Sequence, residues 1–127
     1  MNVELKIKRG DAMLTNASQT DRLFVYHGKS RKCIPANTIV MIQSLSNYST
    51  IYLQSGDKIL TSRTLKYWAG QLGNQFMVRT HQSFLINVES IISVENRRIQ
   101  LKNNLEARIS RNISIRSFMN QFVARPA

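Results

Sequence analysis

His81 and Ser83, which are two residues apart, are the first pair in this sequence that could carry out chemistry. On a β-strand, residues two apart share a face at roughly 6.5 Å, so the side chains could form a serine–histidine pair. Such a pair also needs a carboxylate that orients the imidazole, and Glu89 and Glu95 fall on later predicted elements. We therefore do not expect nucleophilic catalysis at this position.

Cys33 and His27 form a second pair, because they could face each other across a predicted hairpin. A free cysteine is, however, usually a small core residue. The sequence has no C-x-x-C or H-E-x-x-H spacing for a metal, no G-x-S-x-G motif and no glycine-rich phosphate loop. We therefore predict a protein that is not an enzyme and that uses no metal and no cofactor.

Polar side chains suited to nucleic-acid recognition fall in four groups at predicted turns and element starts. Arginine can donate two hydrogen bonds to guanine, whereas asparagine and glutamine can pair with adenine. Serine, threonine and lysine, and the N-terminus of a predicted last helix, suit phosphate. Loops on a rigid β framework are the usual location of recognition residues. The four groups are residues 47–49, 79–83, 97–98 and 110–112.

The charge balance favours the same class of ligand. The 127 residues include 18 Lys and Arg against 7 Asp and Glu, which gives a net charge of +11 and a pI near 10.6. A positive field attracts polyanions such as DNA. No run of five basic residues occurs, so the sequence predicts a folded basic surface and not a basic tail.

The length predicts one domain with a short arm, and we place the arm at residues 1–21 and the domain at residues 22–125. A hydrophobic share of 43% is ordinary for a globular fold. No apolar run approaches the roughly 20 residues of a membrane helix, and the N-terminus does not read as a secretory signal. Cys33 stands alone, which excludes an intrachain disulfide, and we expect a cytoplasmic protein without a membrane partner.

Hydrophobic periodicity predicts a mostly β fold that must position these groups. Residues 77–87 have apolar ends and a polar middle, and residues 38–44 read as a central strand buried on both faces. In the arm, alternation over the first residues indicates one further strand. The other strands are predicted at residues 23–27, 32–34, 49–54, 59–61, 90–95, 98–102 and 105–109, with turns at 46–47, 55–57, 96–97 and 103–104.

Two helices are predicted, and they do not alternate with the strands, which excludes a doubly wound sheet. The first spans residues 64–72, where four apolar residues form one stripe, and its Trp68 is expected in the core. Ser62 or Thr64 can cap its start, and residues 73–74 can end it. Ser110 is expected to cap a final helix over residues 112–123.

Residues 79–87 read R-T-H-Q-S-F-L-I-N and resemble the R-x-H-[RKN]-S-[FY]-[LIV]-V-N signature of LytTR (LytR/AlgR-type) DNA-binding domains. Three other segments resemble the same family, with order and spacing that agree from residue 22 to residue 123. They are residues 42–48 (an early strand and its loop), 61–65 (a strand-to-helix step) and 109–112 (the closing S-R segment). Two positions depart from the pattern: Gln82 stands where Arg or Lys is usual, and Met77 stands where an aromatic residue is preferred.

The resemblance implies an elongated LytTR-like β domain of several short antiparallel sheets, with one internal helix and one C-terminal helix. It also implies a transcription regulator whose loops read double-stranded DNA in successive major grooves. By position, Gln82 would lie in one groove, Arg111 with Asn112 in the next, and Arg98 would meet phosphate. His81 would either contact DNA or brace its loop through Ser83. The complete set of expected DNA-binding residues is Asn47, Tyr48, Ser49, Thr50, Arg79, His81, Gln82, Ser83, Arg98, Arg111 and Asn112.

The family also implies partners. Its members bind direct repeats near promoters, so we expect promoter DNA, a dimer on that DNA and a receiver or sensor partner in trans. The chain has no room for a receiver domain, which predicts a stand-alone regulator or a fragment. Two alternatives remain. One is a module for RNA or single-stranded nucleic acid, with Tyr48 and Tyr52 as stacking residues, and the other is a protein-interaction domain.

Overall fold

Short strands joined by tight turns account for most of the chain in the computed structural model, which describes residues 3–7, 22–27, 29–72, 76–120 and 122–126. Its helices are α1 (Leu65–Leu72) and α2 (Ile115–Met119), and 3-10 turns span residues 36–38, 88–90 and 102–104. The predicted mostly β fold of several antiparallel sheets with two helices is confirmed. The strands are β1 (Val3–Ile7), β2 (Arg22–His27), β3 (Ser30–Pro35), β4 (Ile39–Leu45), β5 (Tyr48–Leu53), β6 (Lys58–Thr61), β7 (Met77–His81), β8 (Phe84–Asn87), β9 (Ile91–Glu95), β10 (Arg98–Leu101), β11 (Leu105–Arg108) and β12 (Phe122–Pro126).

The largest sheet has five antiparallel strands in the order β6-β5-β4-β8-β7. Its middle strand, β4, is apolar and largely β-branched from Ile39 to Ile42, and these residues are at most 3% exposed. A register shift between Ile39 and Met41 sends Val40 and Met41 to one face of the sheet, and Ile39 and Ile42 to the other. β4 is therefore buried on both faces, as predicted.

The first face of this sheet is covered by α1 and the β2–β3 hairpin. The apolar stripe of α1 packs there, and Trp68 is buried, so the predicted helix and its core tryptophan are confirmed. The Thr64 hydroxyl caps α1 by accepting a hydrogen bond from the Tyr67 amide at 3.1 Å. Leu23 and Val25 alternate with exposed residues along β2, which is the pattern of a strand with one face in the core.

The second face is covered by the three-stranded sheet β9–β10–β11 and by α2. Ile99, Leu101 and Ala107 of that sheet and Phe118 of α2 are at most 1% exposed. The five-stranded sheet is thus the middle layer of three, and both of its faces are covered. Loops are therefore exposed at the two ends of its strands.

The predicted final helix over residues 112–123, capped by Ser110, is wrong in its bounds. α2 is only five residues long, and its cap is Ser114, whose hydroxyl accepts from a backbone amide at 3.2 Å. The Arg97 guanidinium binds the carbonyl oxygens of Ser110 and Ile113 and holds the preceding residues as a loop. A helix that began there would need those carbonyls for its own amides.

β12 follows α2, so the strand predicted over residues 105–109 is not the last strand of the chain. The backbone of β12 pairs with β1, from Val3 opposite Pro126 to Ile7 opposite Phe122. The strand predicted within the N-terminal arm is therefore confirmed, with a partner at the other end of the sequence. The division into residues 1–21 and 22–125 stays a prediction.

Turn chemistry agrees with the sequence. Ser46, Asn96, Asn103 and Asn104 have φ values of 59°, 58°, 64° and 59°, the left-handed region that asparagine tolerates best after glycine. The turns predicted at these positions are confirmed. The helix end predicted at residues 73–74 lies outside the described residues.

Candidate nucleic-acid interface

Three loops leave the five-stranded sheet at the same end, because each antiparallel pairing returns the chain to that end. The turn at residues 46–47 joins β4 to β5, the turn at 82–83 joins β7 to β8, and the loop at 62–64 follows β6. The Ser44 amide donates to the Ser83 carbonyl at 2.9 Å and ties the first two together. The sheet itself therefore groups two of the four predicted polar segments.

Thr80 connects this end to the three-stranded sheet. A register shift between Arg79 and His81 makes Thr80 the extra residue of a β-bulge on the edge strand β7. Its hydroxyl donates to the Arg108 carbonyl at 2.8 Å, and its carbonyl accepts from the Ser110 amide at 2.7 Å. The end of β11 is therefore fixed directly beside the β7–β8 turn.

Arg97 fixes the loop that follows β11. Its Nη1 donates to the Ser110 carbonyl at 2.6 Å and to the Ile113 carbonyl at 2.8 Å, and its own carbonyl accepts from Ile109. These bonds hold Arg111 on a loop with a defined path. The β9–β10 turn thus joins the same end of the molecule as the other loops.

We call this the arginine end, and it comprises residues 45–48, 62–64, 79–83, 96–97 and 110–113. These residues include Arg63, Arg79, Arg97 and Arg111 and no Asp or Glu, so the end carries a charge of +4. Residues from each of the four predicted polar groups meet here. The acidic residue nearest in sequence is Glu95, which directly precedes the 96–97 turn.

The β7–β8 turn is stiffened by its own side chains. Nδ1 of His81 accepts from the Ser83 amide at 3.0 Å, and its ring lies 5.6 Å from that of Phe84. Arg79 donates to the His81 carbonyl at 3.4 Å and to the Gln82 carbonyl at 2.9 Å. Of the two expectations for His81, the structure contains the brace through Ser83, and a DNA contact stays a prediction.

Several predicted site residues keep their side chains available. Asn47, Gln82, Arg111 and Asn112 are exposed, and none has a side-chain hydrogen bond or ion pair with another described residue. Tyr48 is 51% exposed beside them. Unpaired exposed amides and guanidinium groups are the side chains that can read base edges without first breaking internal bonds.

Ser49 differs from the expectation, and Arg98 already has an acidic partner. Ser49 is fully buried, and its hydroxyl donates to the Arg63 carbonyl at 2.8 Å and accepts from Trp68 Nε1 at 3.0 Å. Its side chain is therefore part of the core, and we leave it out of the interface. Arg98 Nε lies 2.9 Å from Glu106 in an exposed ion pair. Thr50 and Ser83 are half-buried.

Sequence reasoning missed Arg63, which lies in the loop after β6 with its guanidinium 4.4 Å from the centroid of the Tyr67 ring. The signal was the pairing of Thr61 with Ser49, since it sends residue 62 to the same end as the 46–47 turn. The register depends on pairing between distant residues, so the hydrophobic pattern of one segment does not predict it.

Groups for other chemistry were also located. His81 binds the backbone amide of Ser83 and not its hydroxyl. Within the described ranges, no group of three or more His, Cys, Asp or Glu side chains could hold a metal ion. No helix in the part of the chain that the structure describes is long and apolar enough to span a membrane.

A stiff β framework with one end whose loops carry arginine and no carboxylate is typical of proteins that bind polyanions such as nucleic acid. The sequence matches the family of LytTr DNA-binding domains over residues 29–122. The chain therefore belongs to the LytTR family, which confirms the family that its sequence resembles.

A solved structure is also similar. It is described as the LytTr DNA-binding domain of a methyl-accepting/DNA response regulator from Bacillus cereus, with a TM-score of 0.63 and 12% identity. The match covers 73% of this chain and 89% of that chain. At this identity the likeness shows the fold alone. No curated protein matches the chain.

Proposed function

We propose that this protein binds double-stranded DNA sequence-specifically and regulates transcription, with loops of the arginine end entering successive major grooves. Membership of the LytTR family and the charge of +4 at that end support the proposal. The observation that carries it is the continuity of the loops, which hydrogen bonds from Ser44, Thr80 and Arg97 join into one surface. A continuous cationic surface can neutralise several phosphates of one duplex at once.

Base recognition is assigned to Asn47, Gln82, Arg111 and Asn112. Their side chains are exposed and are not used by other described residues. The Arg111 guanidinium can donate two hydrogen bonds to guanine, and the amide of Gln82 can pair with adenine. An amide at position 82 would therefore favour a different base from the cation that is usual there.

Phosphate contacts are assigned to Arg98 and to the hydroxyl groups of Tyr48, Thr50 and Ser83. Arg98 would exchange Glu106 for a phosphate oxygen on binding. That exchange costs little, because exposed ion pairs contribute only about 0–1 kcal/mol. His81 and Arg79 hold the turn that carries Gln82, and Arg79 adds its charge to the surface.

The test is selection of bound duplexes from a random pool, followed by titration of the selected duplex at several salt concentrations. We expect one enriched motif, arranged as direct repeats. The binding constant should fall steeply with salt, by about 0.9 logarithmic units per tenfold rise in salt concentration for each neutralised phosphate. Unlabelled single-stranded DNA and RNA should compete poorly. Absence of an enriched motif, or equal competition by single strands, would contradict the proposal and favour a single-strand module.

The partners follow from the same proposal. We propose that the protein acts in the cytoplasm on direct repeats in promoters, that two copies occupy adjacent repeats, and that a receiver or sensor protein controls it in trans. Analytical ultracentrifugation with duplexes of one and two repeats measures the number of bound copies. One copy on the two-repeat duplex would contradict the paired arrangement.

A further inference from the structure

We propose that Arg63, stacked on Tyr67, is a phosphate-binding residue at the β6 edge of the arginine end. The inference rests on the proposed function and adds a contact outside the four polar groups on which the sequence analysis concentrated. Its guanidinium lies 4.4 Å from the centroid of the Tyr67 ring. The ligand is the sugar–phosphate backbone of the same duplex.

The first step is location. Thr61 at the end of β6 pairs with Ser49 near the start of β5, directly after the turn at residues 46–47. The loop at 62–64 therefore lies at the arginine end, beside the turn that presents Asn47. A duplex that contacts Asn47 would pass close to Arg63.

The second step is the fixed backbone of Arg63. Its carbonyl accepts from the Ser49 hydroxyl at 2.8 Å, and its amide donates to Thr61 Oγ1 at 3.2 Å. Both hydroxyl oxygens also accept from Trp68 Nε1, at 3.0 Å and 3.2 Å. This buried network positions the loop through main-chain atoms, so removal of the Arg63 side chain leaves it intact.

The third step is the fixed side chain. Tyr67 follows Arg63 by four residues, and its amide is held by the Thr64 cap while its ring meets Trp68 edge-on at 4.9 Å. Stacking covers a face of the guanidinium but leaves the N–H groups at its rim free for in-plane bonds. Arg63 has no carboxylate partner among the described residues, so its charge is available to a ligand.

The fourth step distinguishes phosphate from base. Base reading by arginine requires a guanidinium that extends into a groove. The guanidinium of Arg63 instead lies against Tyr67 of α1. A planar, fixed guanidinium is instead suited to two oxygens of one phosphate. Arg63 should therefore contribute to affinity on every duplex and not to sequence choice.

The experiment compares Arg63→Ala with the unchanged full chain on the selected duplex and on a random duplex. We expect the affinity for both duplexes to fall roughly three- to tenfold. The slope of log affinity against log salt concentration should be shallower by about 0.9. An unchanged salt slope, or a loss confined to the selected duplex, would overturn the inference.

Arg31→Ala is the matched control, because Arg31 also stacks on an aromatic ring, that of Phe24 at 4.2 Å, but on the separate β2–β3 hairpin. It should leave affinity on both duplexes unchanged. Tyr67→Leu should give a smaller loss than Arg63→Ala, and the two losses should not add. Additive losses would show that the stack does not position the guanidinium and would overturn that step.

Two failures can be separated. Should the unchanged protein select no duplex sequence, the proposed function fails. Should it select one while Arg63→Ala behaves like Arg31→Ala, the function stands and the Arg63 contact fails. Thermal unfolding of each variant checks that the fold is retained.

Discussion

The two ends of the five-stranded sheet use their polar side chains in different ways. At the end opposite the arginine end, amides bond to main-chain carbonyls: Gln54 Nε2 to Asn37 at 3.2 Å, and Asn103 Nδ2 to Leu53 at 3.2 Å and Gln54 at 3.1 Å. Asn87 Nδ2 likewise donates to a buried carbonyl at 2.9 Å. We call this the amide end, and it comprises residues 36–38, 54–58, 87–90 and 102–104.

The charges of the two ends differ as well. Lys58 and Lys102 at the amide end are matched by Asp57 and Glu89, so its net charge is zero, whereas the arginine end carries +4. At the arginine end, the bonds to loop carbonyls come from Arg79 and Arg97. Neutral amides and guanidinium groups therefore do the same structural work at opposite ends, but only guanidinium groups leave a positive surface.

The comparison shows that part of the positive charge at the arginine end comes from side chains that also hold its loops in place. Two of its four arginines, Arg79 and Arg97, hold loops through carbonyl oxygens. Arg111 lies on the loop that Arg97 holds, whereas Arg63 stacks on Tyr67. If this division is correct, substitutions at the arginine end should affect DNA binding, and substitutions at the amide end should affect only stability.

The largest effect is expected for Arg97→Ala. It removes two bonds to carbonyls and releases the loop of Arg111, so the free energy of unfolding should fall by about 1.5–3 kcal/mol. Specific binding should fall by roughly 10- to 100-fold, because the position of Arg111 is lost too. Urea unfolding and fluorescence anisotropy measure the two effects. Arg97→Lys keeps the charge, but its ammonium ends one bond short of the Nη1 position, so it should restore little stability. Loss of specific binding in Arg97→Ala without any loss of stability would contradict a positioning role.

Arg111→Ala separates recognition from structure. Arg111 is exposed and has no described partner, so stability should not change. Affinity for the selected duplex should fall by about 1–3 kcal/mol, and sequence choice should relax at one position. Binding to random duplex is the control. Equal losses on both duplexes would reassign Arg111 to phosphate.

Asn103→Gly tests the amide end. Glycine accepts the φ of 64° without strain, so the substitution removes only the amide and its bonds to the β5–β6 turn. Stability should fall by about 0.5–1.5 kcal/mol, with DNA affinity unchanged. Asn104→Gly, at a φ of 59°, is the matched control and should cost less. A loss of DNA affinity in Asn103→Gly would break the contrast between the ends.

The smallest effect is expected for the exposed ion pair of Arg98. Arg98→Ala should weaken all duplexes alike, by about 0.5–1 kcal/mol, because one phosphate contact is lost and one weak pair is removed. Glu106→Gln should act in the opposite direction, since it frees Arg98 for phosphate. Anisotropy titrations at two salt concentrations measure both. Weaker binding by Glu106→Gln would show that Arg98 does not meet the duplex.

Local patterns in the sequence predicted the elements that depend on neighbouring residues. The stripe around Trp68 predicted α1, the apolar run from Ile39 predicted β4, and asparagine at positions 96 and 103 predicted turns with positive φ. In each case, propensity and burial within one element decide the structure.

Long-range pairing decided what the sequence could not predict. Ser49 is predicted to contact DNA from the start of a strand, but its register with Thr61 and the Trp68 side chain bury it. Phe122 and Val123 are predicted as the end of a helix, but pairing with β1 places them in a strand. The carbonyl-binding role of Arg97 likewise depends on a loop 13 and 16 residues further along the chain.

One residue, Thr80, fixes the position of the loop after β11 relative to the β7–β8 turn. Since its hydroxyl and its carbonyl bind the two sides of the exit from β11, the distance between the tip at Gln82 and the tip at Arg111 cannot vary freely. A target whose two contacted bases are separated by one extra base pair turns its second base by about a tenth of a helical turn. Because Thr80 ties the two loops together, they cannot follow that rotation independently. A one-base-pair change in the spacing of the target should therefore weaken binding more than the substitution of one contacted base.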